Sequence, residues 1–331
     1  MSDDNNLTTN RLLAHTGISK PIICGAMYPC SNPELVAAAS EAGGIGIVQP
    51  VSLTYVHGYD FREGLKAIRK LTNKPIGMNA LIEQSSQRYH QRMQEWVDIA
   101  LEEGIRFFVT SLGKPGWVVE RVHAAGGVVY HDTTNRKFAL KGLEDGVDGL
   151  ICVNNRAGGH TGQKSAKELY EELADLNVPL ICAGGISTAE DYQRVLQLGY
   201  EGVQMGTAFI ATTECTASDA YKQAIIDSQE KDIVLSERIT GIPVSVINTN
   251  TIERMGTKPG ALARWLLKGA KTKHLMRMFY TLRSVVQLKK SLKDKTGNRD
   301  FWQAGKSVAG VNRVKPAGEI IKDLTSTDER G

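Results

Sequence analysis

Short continuous runs of apolar residues, rich in β-branched side chains, recur along the chain as far as about residue 206, with helical patterns between them. They predict eight strands: PIICGA (21–26), GIGIV (44–48), KPIGMN (74–79), RFFVTS (106–111), GVVYH (127–131), DGLICV (148–153), VPLICA (178–183) and EGVQMG (201–206). None alternates apolar with polar residues, as expected of parallel strands covered on both faces. The intervening stretches carry helix signals. SNPELVAAASEAGG has Ser or Asn ahead of Pro33 in the first turn and stops at Gly43; STAEDYQRVLQLG has the capping-box spacing Ser187 to Glu190 and ends at Gly199. Eight strand–helix units in about 215 residues match an α/β chain folded as a (β/α)8 barrel in number and size. A doubly wound sheet is the alternative, but it has no need of eight equal units.

Beyond Glu214 the rhythm changes. Residues 217–297 read as helices with no strand repeat apart from TGIPVSVI (240–247), and are expected to form a helical subdomain, 217–300, over the barrel mouth. WQAGKSVAGV (302–311) is glycine-rich, and PAGEIIKDL predicts a last helix returning to the barrel wall, so that 1–216 is the barrel and 301–331 the return segment.

Composition narrows the class without changing that picture. The 331 residues are 41% hydrophobic and 23% charged, ordinary for a globular protein with a large core. Five cysteines without a CxxC pair argue against a disulfide framework, and Cys24, Cys152 and Cys182 lie in apolar runs as small core residues. The polar start MSDDNNLTTNR and the absence of any apolar run of ~20 residues predict a cytoplasmic protein that does not cross a membrane. The net charge is +4, but Arg264 to Arg299 carries eleven cations against Asp294 alone. That reads first as a solvated helix face and second as a docking surface for an acidic partner; no nucleic-acid-binding pattern accompanies it, and no metal centre is expected.

Chemistry in such a barrel belongs at the C-terminal ends of the strands. Those ends carry Met27 to Cys30, Asn79, His131 to Thr133, Asn154 to Gly162, Gly184-Gly185-Ile186-Ser187 and Gly206-Thr207. The last two loops, on adjacent strands, put backbone N–H groups and a hydroxyl around one point, where a phosphate is expected from a flavin mononucleotide (FMN) or a phosphorylated metabolite. NNRAGGHTG leaves His160 as the one group of its bare loop able to move a proton near neutral pH. His131 competes from the end of the fifth strand, whereas His57, His90 and His123 read as surface groups.

PIICGAM, GMN, NRAGGHTG, AGGISTAEDYQRVLQLGYEGVQMGTAFIATTE and AGKSV, in that order, resemble the motifs of the nitronate monooxygenase family, once called 2-nitropropane dioxygenases, which includes FMN-dependent reductases of enoyl-acyl carrier proteins or quinones. The likeness runs from about residue 15 to 325 and is strongest from Gly149 to Glu214. It implies that Ala26 and Met27 lie beside the flavin ring, that Asn79 bonds its polar edge, and that Gly184, Gly185, Gly206 and Thr207 hold its phosphate, with Gln204 close by. It implies further that Gly158 and Gly159 let the loop approach flavin and substrate, and that His160 is the active-site histidine. Where the family commonly has Gly-x-Glu before Ala-Gly-Gly, this chain has Asn155-Arg156, which changes the charge offered to a substrate. Tyr28 and Cys30 reshape the pocket, and Lys306 replaces a common glutamine; Tyr28, His131 and Lys306 are therefore candidate substrate contacts.

The resemblance implies oxidation of alkyl nitronates by oxygen, with His160 as base or anion binder. Two alternatives stand: an NAD(P)H-dependent reductase of enoyl-acyl carrier protein or quinone, for which the basic 264–299 segment would dock an acidic carrier, and a non-redox phosphate-binding lyase or synthase. A homodimer is compatible with either.

Overall fold

The computed structural model describes residues 10–83, 87–238, 242–258 and 301–326. Each apolar run is a strand: β1 (Ile22–Cys24), β2 (Ile45–Val48), β3 (Ile76–Ile82), β4 (Phe107–Leu112), β5 (Val128–Thr133), β6 (Gly149–Val153), then, after a two-residue strand β7 (Gly159–His160) outside the barrel, β8 (Leu180–Ala183) and β9 (Gly202–Met205). All barrel pairings are parallel, in the order β1-β2-β3-β4-β5-β6-β8-β9, and the sheet closes where Cys24 pairs with Met205. The chain is thus a (β/α)8 barrel, wrapped by α2 (Pro33–Glu41), α3 (Phe61–Arg69), α4 (Gln87–Glu102), α5 (Gly116–Ala124), α6 (Arg136–Glu144), α7 (Ala166–Leu173) and α8 (Ala189–Gln197).

Strand period two divides the core into two shells. Ile23, Ile45, Ile47, Phe107, Val109, Tyr130, Ile151, Ile181 and Ala183 fill the barrel interior, and Leu12 of the short α1 (Arg11–Thr16) plugs its N-terminal end. The intervening positions, among them Met78, Phe108, Val129, Leu150 and Val203, face the helices. Gly77 shows how tightly the interior packs: a Cβ there would stand 2.6 Å from Ile47 and 2.9 Å from Phe107. Helix α8 begins one residue later than its sequence suggests. Thr188, still extended, accepts from the Asp191 N–H, and the Asp191 carboxylate accepts from the N–H groups of Ser187 and Thr188.

The region after the barrel departs from the helical expectation. After the single turn α9 (Thr207–Ile210) that follows β9, its described part holds α10 (Asp219–Asp227) and α11 (Asn250–Met255), but also two strands, β10 (Ile233–Ser236) and β11 (Val244–Ile247), which pair antiparallel. β11 is the centre of a three-stranded sheet whose other edge is β7. KDIVLS is short, flanked by charge, and alternates only weakly, so its periodicity does not announce a strand; pairing with β11 makes it one. Val244 and Val246 pack with Ile252 and Phe301, and Tyr28 from the β1 loop lies against them. The C-terminal helix Ala317–Thr325 returns to the wall as expected: Ile321 reaches Gly44, and the Glu214 carboxylate accepts the Ala317 N–H at 3.1 and 3.2 Å. The basic stretch 264–299 lies outside the described residues. All five cysteines are buried and free, and no described helix is long and apolar enough to cross a membrane.

Candidate active site

The polar and glycine-rich strand ends converge at the C-terminal mouth. Asn79 is buried on the face of β3 that also carries Gly77, and so faces the barrel axis. Gln204 pairs with Ala183 on one side and Ile23 on the other, and its side chain lies 3.0 Å from a Cβ at Gly25, which keeps the β1 end bare. Ala26 packs on the interior cluster. Met27 is pinned by the Ser31 hydroxyl, which accepts its N–H at 2.9 Å, and its sulfur stands 3.3 Å from a Cβ at Gly206. Ala26, Met27, Asn79, Gln204 and Gly206 therefore share one rim.

The loops after β6 and β8 are bound to each other by a residue whose part the sequence did not disclose. Asn154, fully buried, accepts the Arg156 N–H through Oδ1 at 2.8 Å and donates through Nδ2 to the Gly184 carbonyl at 2.9 Å. Its own carbonyl accepts the Thr161 hydroxyl at 2.7 Å. Gly184 and Gly185 have φ of 115° and 80°, and a Cβ at Gly184 would meet Ala157 and Asn154 at about the same spot. Arg156 folds over Gly185, where a Cβ would stand 2.5 Å from its Nε, and its guanidinium pairs with Glu230. Arg156 and then Lys306 hold the Glu230 carboxyl below the usual range, after the bond from Arg156 itself. The Arg156 Nε is buried without a hydrogen-bond partner among the described residues. Arg156 thus lies against the Gly184–Gly185 loop, and the charge change before Ala-Gly-Gly puts a guanidinium there, paired with Glu230.

The return segment forms the fourth wall. Thr207 Oγ1 accepts the Gly305 N–H at 2.9 Å, which leaves its proton free to donate. The Lys306 N–H bonds the Arg156 carbonyl at 2.9 Å. A Cβ at Gly158 would stand 2.9 Å from the Gly305 nitrogen, and one at Gly159 3.0 Å from Gln303 Oε1. These two glycines therefore admit the return segment, a close approach within the chain that the motif alone does not reveal. Tyr221, stacked on Trp302 at 5.6 Å, holds that segment in place.

His160 stands at the rim on β7, where it pairs with Val244 while Gly159 pairs with Ser245. The residue is exposed, and the partial enclosure of its ring lowers its pKa from the ordinary 6.5. The imidazole is neutral at neutral pH, able to accept a proton.

His131 is not brought to the mouth, which corrects its place among the substrate contacts. It is 4% exposed, its Nδ1 lies 2.8 Å from Thr110 Oγ1, and its ring faces Gly142 of α6 in the helix layer. Strand alternation is the reason: Tyr130 points inward, so His131 points outward and Asp132 inward again. Burial lowers the His131 pKa to about 4 and raises that of Asp132 to about 7. Tyr28 lies against the small sheet, and Lys306, whose N–H bonds the Arg156 carbonyl, adds its charge to the field that holds down the Glu230 carboxyl. His90 packs on Trp117 and His123 pairs with Asp148.

The family model for nitronate monooxygenase matches residues 9–327. The chain belongs to that family and is an oxidoreductase. A Rhodococcus jostii protein named (3aS,4S,5R,7aS)-5-hydroxy-7a-methyl-1-oxo-octahydro-1H-indene-4-carboxyl-CoA dehydrogenase is 29% identical over 75% of this chain and 69% of its own. A Staphylococcus aureus protein described as "Probable nitronate monooxygenase" is 26% identical over 76% of this chain and 81% of its own. Among solved structures, FabK from Thermotoga maritima has a TM-score of 0.79 at 24% identity, covering 97% of both chains, and shares the fold.

Proposed function

We propose that this family member is an FMN-dependent oxidoreductase that oxidises small alkyl nitronates with molecular oxygen. The observation that carries the reading is the junction of two features at one rim: an anion cradle with an unpartnered Arg156 Nε, and a neutral histidine clamped on β7. The cradle suits a phosphate. Gly184, Gly185 and Gly206 keep the loop ends free of side chains of their own, Thr207 retains a hydroxyl proton, and the Arg156 Nε is a charge-assisted donor whose sister nitrogens pair with Glu230, the carboxylate that Lys306 also acts on. Asn79, Gln204, Ala26 and Met27 line the floor for the ring, while Gly158 and Gly159 keep the loop flat against the return segment. When bound, the flavin supplies the two-electron chemistry. His160 removes the acidic C–H proton of a nitroalkane through a ring nitrogen or, protonated, holds a substrate that arrives as the nitronate.

A second reading has one specific support. The Rhodococcus jostii relative is named for a dehydrogenase of a CoA thioester, and the same rim suits a carbon acid next to a thioester carbonyl. In that case the electron partner is a nicotinamide, and the basic 264–299 segment docks an acidic carrier.

The deciding experiment is the visible spectrum of the purified protein under anaerobic conditions, before and after NADH, NADPH and an alkyl nitronate. Bleaching by the nitronate alone supports the first reading, and prompt bleaching by a nicotinamide the second. A colourless protein that binds no added FMN defeats both. His160→Ala is expected to keep its flavin and lose nitronate turnover by about 100-fold or more; normal turnover ends the proposed role.

A further inference from the structure

Asp132 is a half-buried acid, with one carboxyl oxygen enclosed, that the reading above leaves unused. It is the fifth residue of β5, at the mouth end, on the strand face that carries Tyr130 into the barrel. Its neighbour across the ladder is Ile151 of β6, also an interior residue. Its Oδ1 is buried with no hydrogen-bond partner among the described residues. The loop bearing His160 is fastened beside it: a Cβ at Gly162 would stand 2.3 Å from the Val153 carbonyl and 3.5 Å from Thr134, so the two loops touch two residues beyond His160 and Asp132. The titratable groups about it are Tyr130 on the same face of β5, His131 on the opposite face and Cys152 on β6, whose thiol feels its charge, and its shift comes from burial alone.

A buried carboxyl oxygen without a partner is costly unless a ligand supplies one. Among the described residues no cation acts on it, and enclosure favours the neutral acid, which presents an O–H donor. We propose that Asp132 acts as a neutral carboxylic acid that donates a hydrogen bond to the oxygen on which negative charge resides when the carbon acid in this site is ionised. The inference rests on the proposed function and deepens it: the substrate's anionic oxygen, in a nitronate, faces Asp132 while its reacting carbon faces His160. In the step concerned, the C–H proton moves to a His160 ring nitrogen and the electron pair of that bond delocalises onto the nitro oxygen. Asp132 keeps its own proton throughout. A protonated aspartate in an apolar oxyanion site is known chemistry for carbon acids elsewhere.

The test is infrared difference spectroscopy of the flavin-loaded protein and of Asp132→Asn, between about pH 5 and pH 9, with and without nitrate as a planar oxyanion that does not turn over. The wild type is expected to show the C=O stretch of a protonated acid, absent from Asp132→Asn and displaced by nitrate. A wild type without that band, or with a band indifferent to nitrate, overturns the proposal. In parallel, Asp132→Leu is expected to lose about 100-fold in kcat/KM for a nitronate, whereas Asp132→Asn loses the alkaline limb of the pH profile because its donor does not ionise. Unchanged kinetics in both variants also overturns it. Failure of the proposed function shows separately, as a wild type that turns over no nitronate while the infrared response to nitrate still reports on Asp132.

Discussion

At the residue scale, two adjacent positions on one strand show how much a strand's alternation decides. His131 is buried and Asp132 half-buried with its carboxyl oxygen Oδ1 enclosed, and the enclosure disfavours the charged form of each. The consequences for stability have opposite signs. His131 goes from 6.5 in the unfolded chain to about 4, so as pH falls across that window the unfolded state takes up a proton first and stability is lost, by up to about 3 kcal/mol. Asp132 goes from 3.8 to about 7, so as pH rises across that window the unfolded state releases a proton first and stability is again lost. The two slopes oppose each other between about pH 4 and 6.5. Relative to wild type, His131→Gln should therefore become less stable with rising pH and Asp132→Asn more stable, measured by urea denaturation at several pH values; equal slopes would contradict the burial of these groups. Gly185 is a second decisive residue. Its φ of 80° and the Arg156 Nε 2.5 Å from a Cβ leave no place for a side chain. Gly185→Asp is expected to abolish flavin retention, read as the absorbance ratio of the purified protein; undiminished flavin content would place the phosphate elsewhere.

At the scale of elements, the sheet β10-β11-β7 gives a two-residue strand its rigidity. A glycine-rich loop alone would leave His160 free to move, whereas pairing with Val244 and Ser245 sets its backbone. Proline at the centre of a three-stranded sheet removes a ladder donor and clashes with its neighbour. Val244→Pro should lower kcat by about 10- to 100-fold while flavin content stays near wild type. A variant with full activity would show that the sheet does not position the histidine. The capping of α8 makes a related point. Asp191 already satisfies the Ser187 and Thr188 N–H groups, so of this loop only Gly184 to Ile186, with Arg156 over it, remain to serve the proposed phosphate.

At the scale of the whole molecule, the C-terminal return ties the two most distant parts of the site together. Gly305 lies between Thr207, which accepts its N–H, and the Arg156 carbonyl, 2.6 Å from where its Cβ would stand. All three atoms nearest that Cβ, from Arg156, Ala157 and Gly158, are backbone, so they cannot rotate away. Gly305→Ala is expected to cost about 1–3 kcal/mol of stability and to weaken flavin binding together with it, measured by thermal unfolding with and without added FMN. A variant as stable as wild type would mean that the return segment sits more loosely against the loop.

The eight strands, their order and the barrel were legible in the sequence because parallel strands covered on both faces leave long apolar runs, and one βα unit after another has few ways to close. The rim was legible in outline for the same reason: glycines with positive φ and a lone histidine fall at strand ends wherever the barrel places them. What remained hidden required contacts between residues far apart in the chain. Whether His131 or Asp132 faces the axis depends on one step of register, which the apolar run GVVYH does not encode. Arg156 joins the cradle because Glu230 meets it, Asn154 because Gly184 does, and β10 is a strand because β11 lies beside it. By itself the sequence determined the barrel and the places where chemistry could gather. The tertiary structure decided which side chains reach those places, because burial and partner geometry arise only after distant segments have closed on one another.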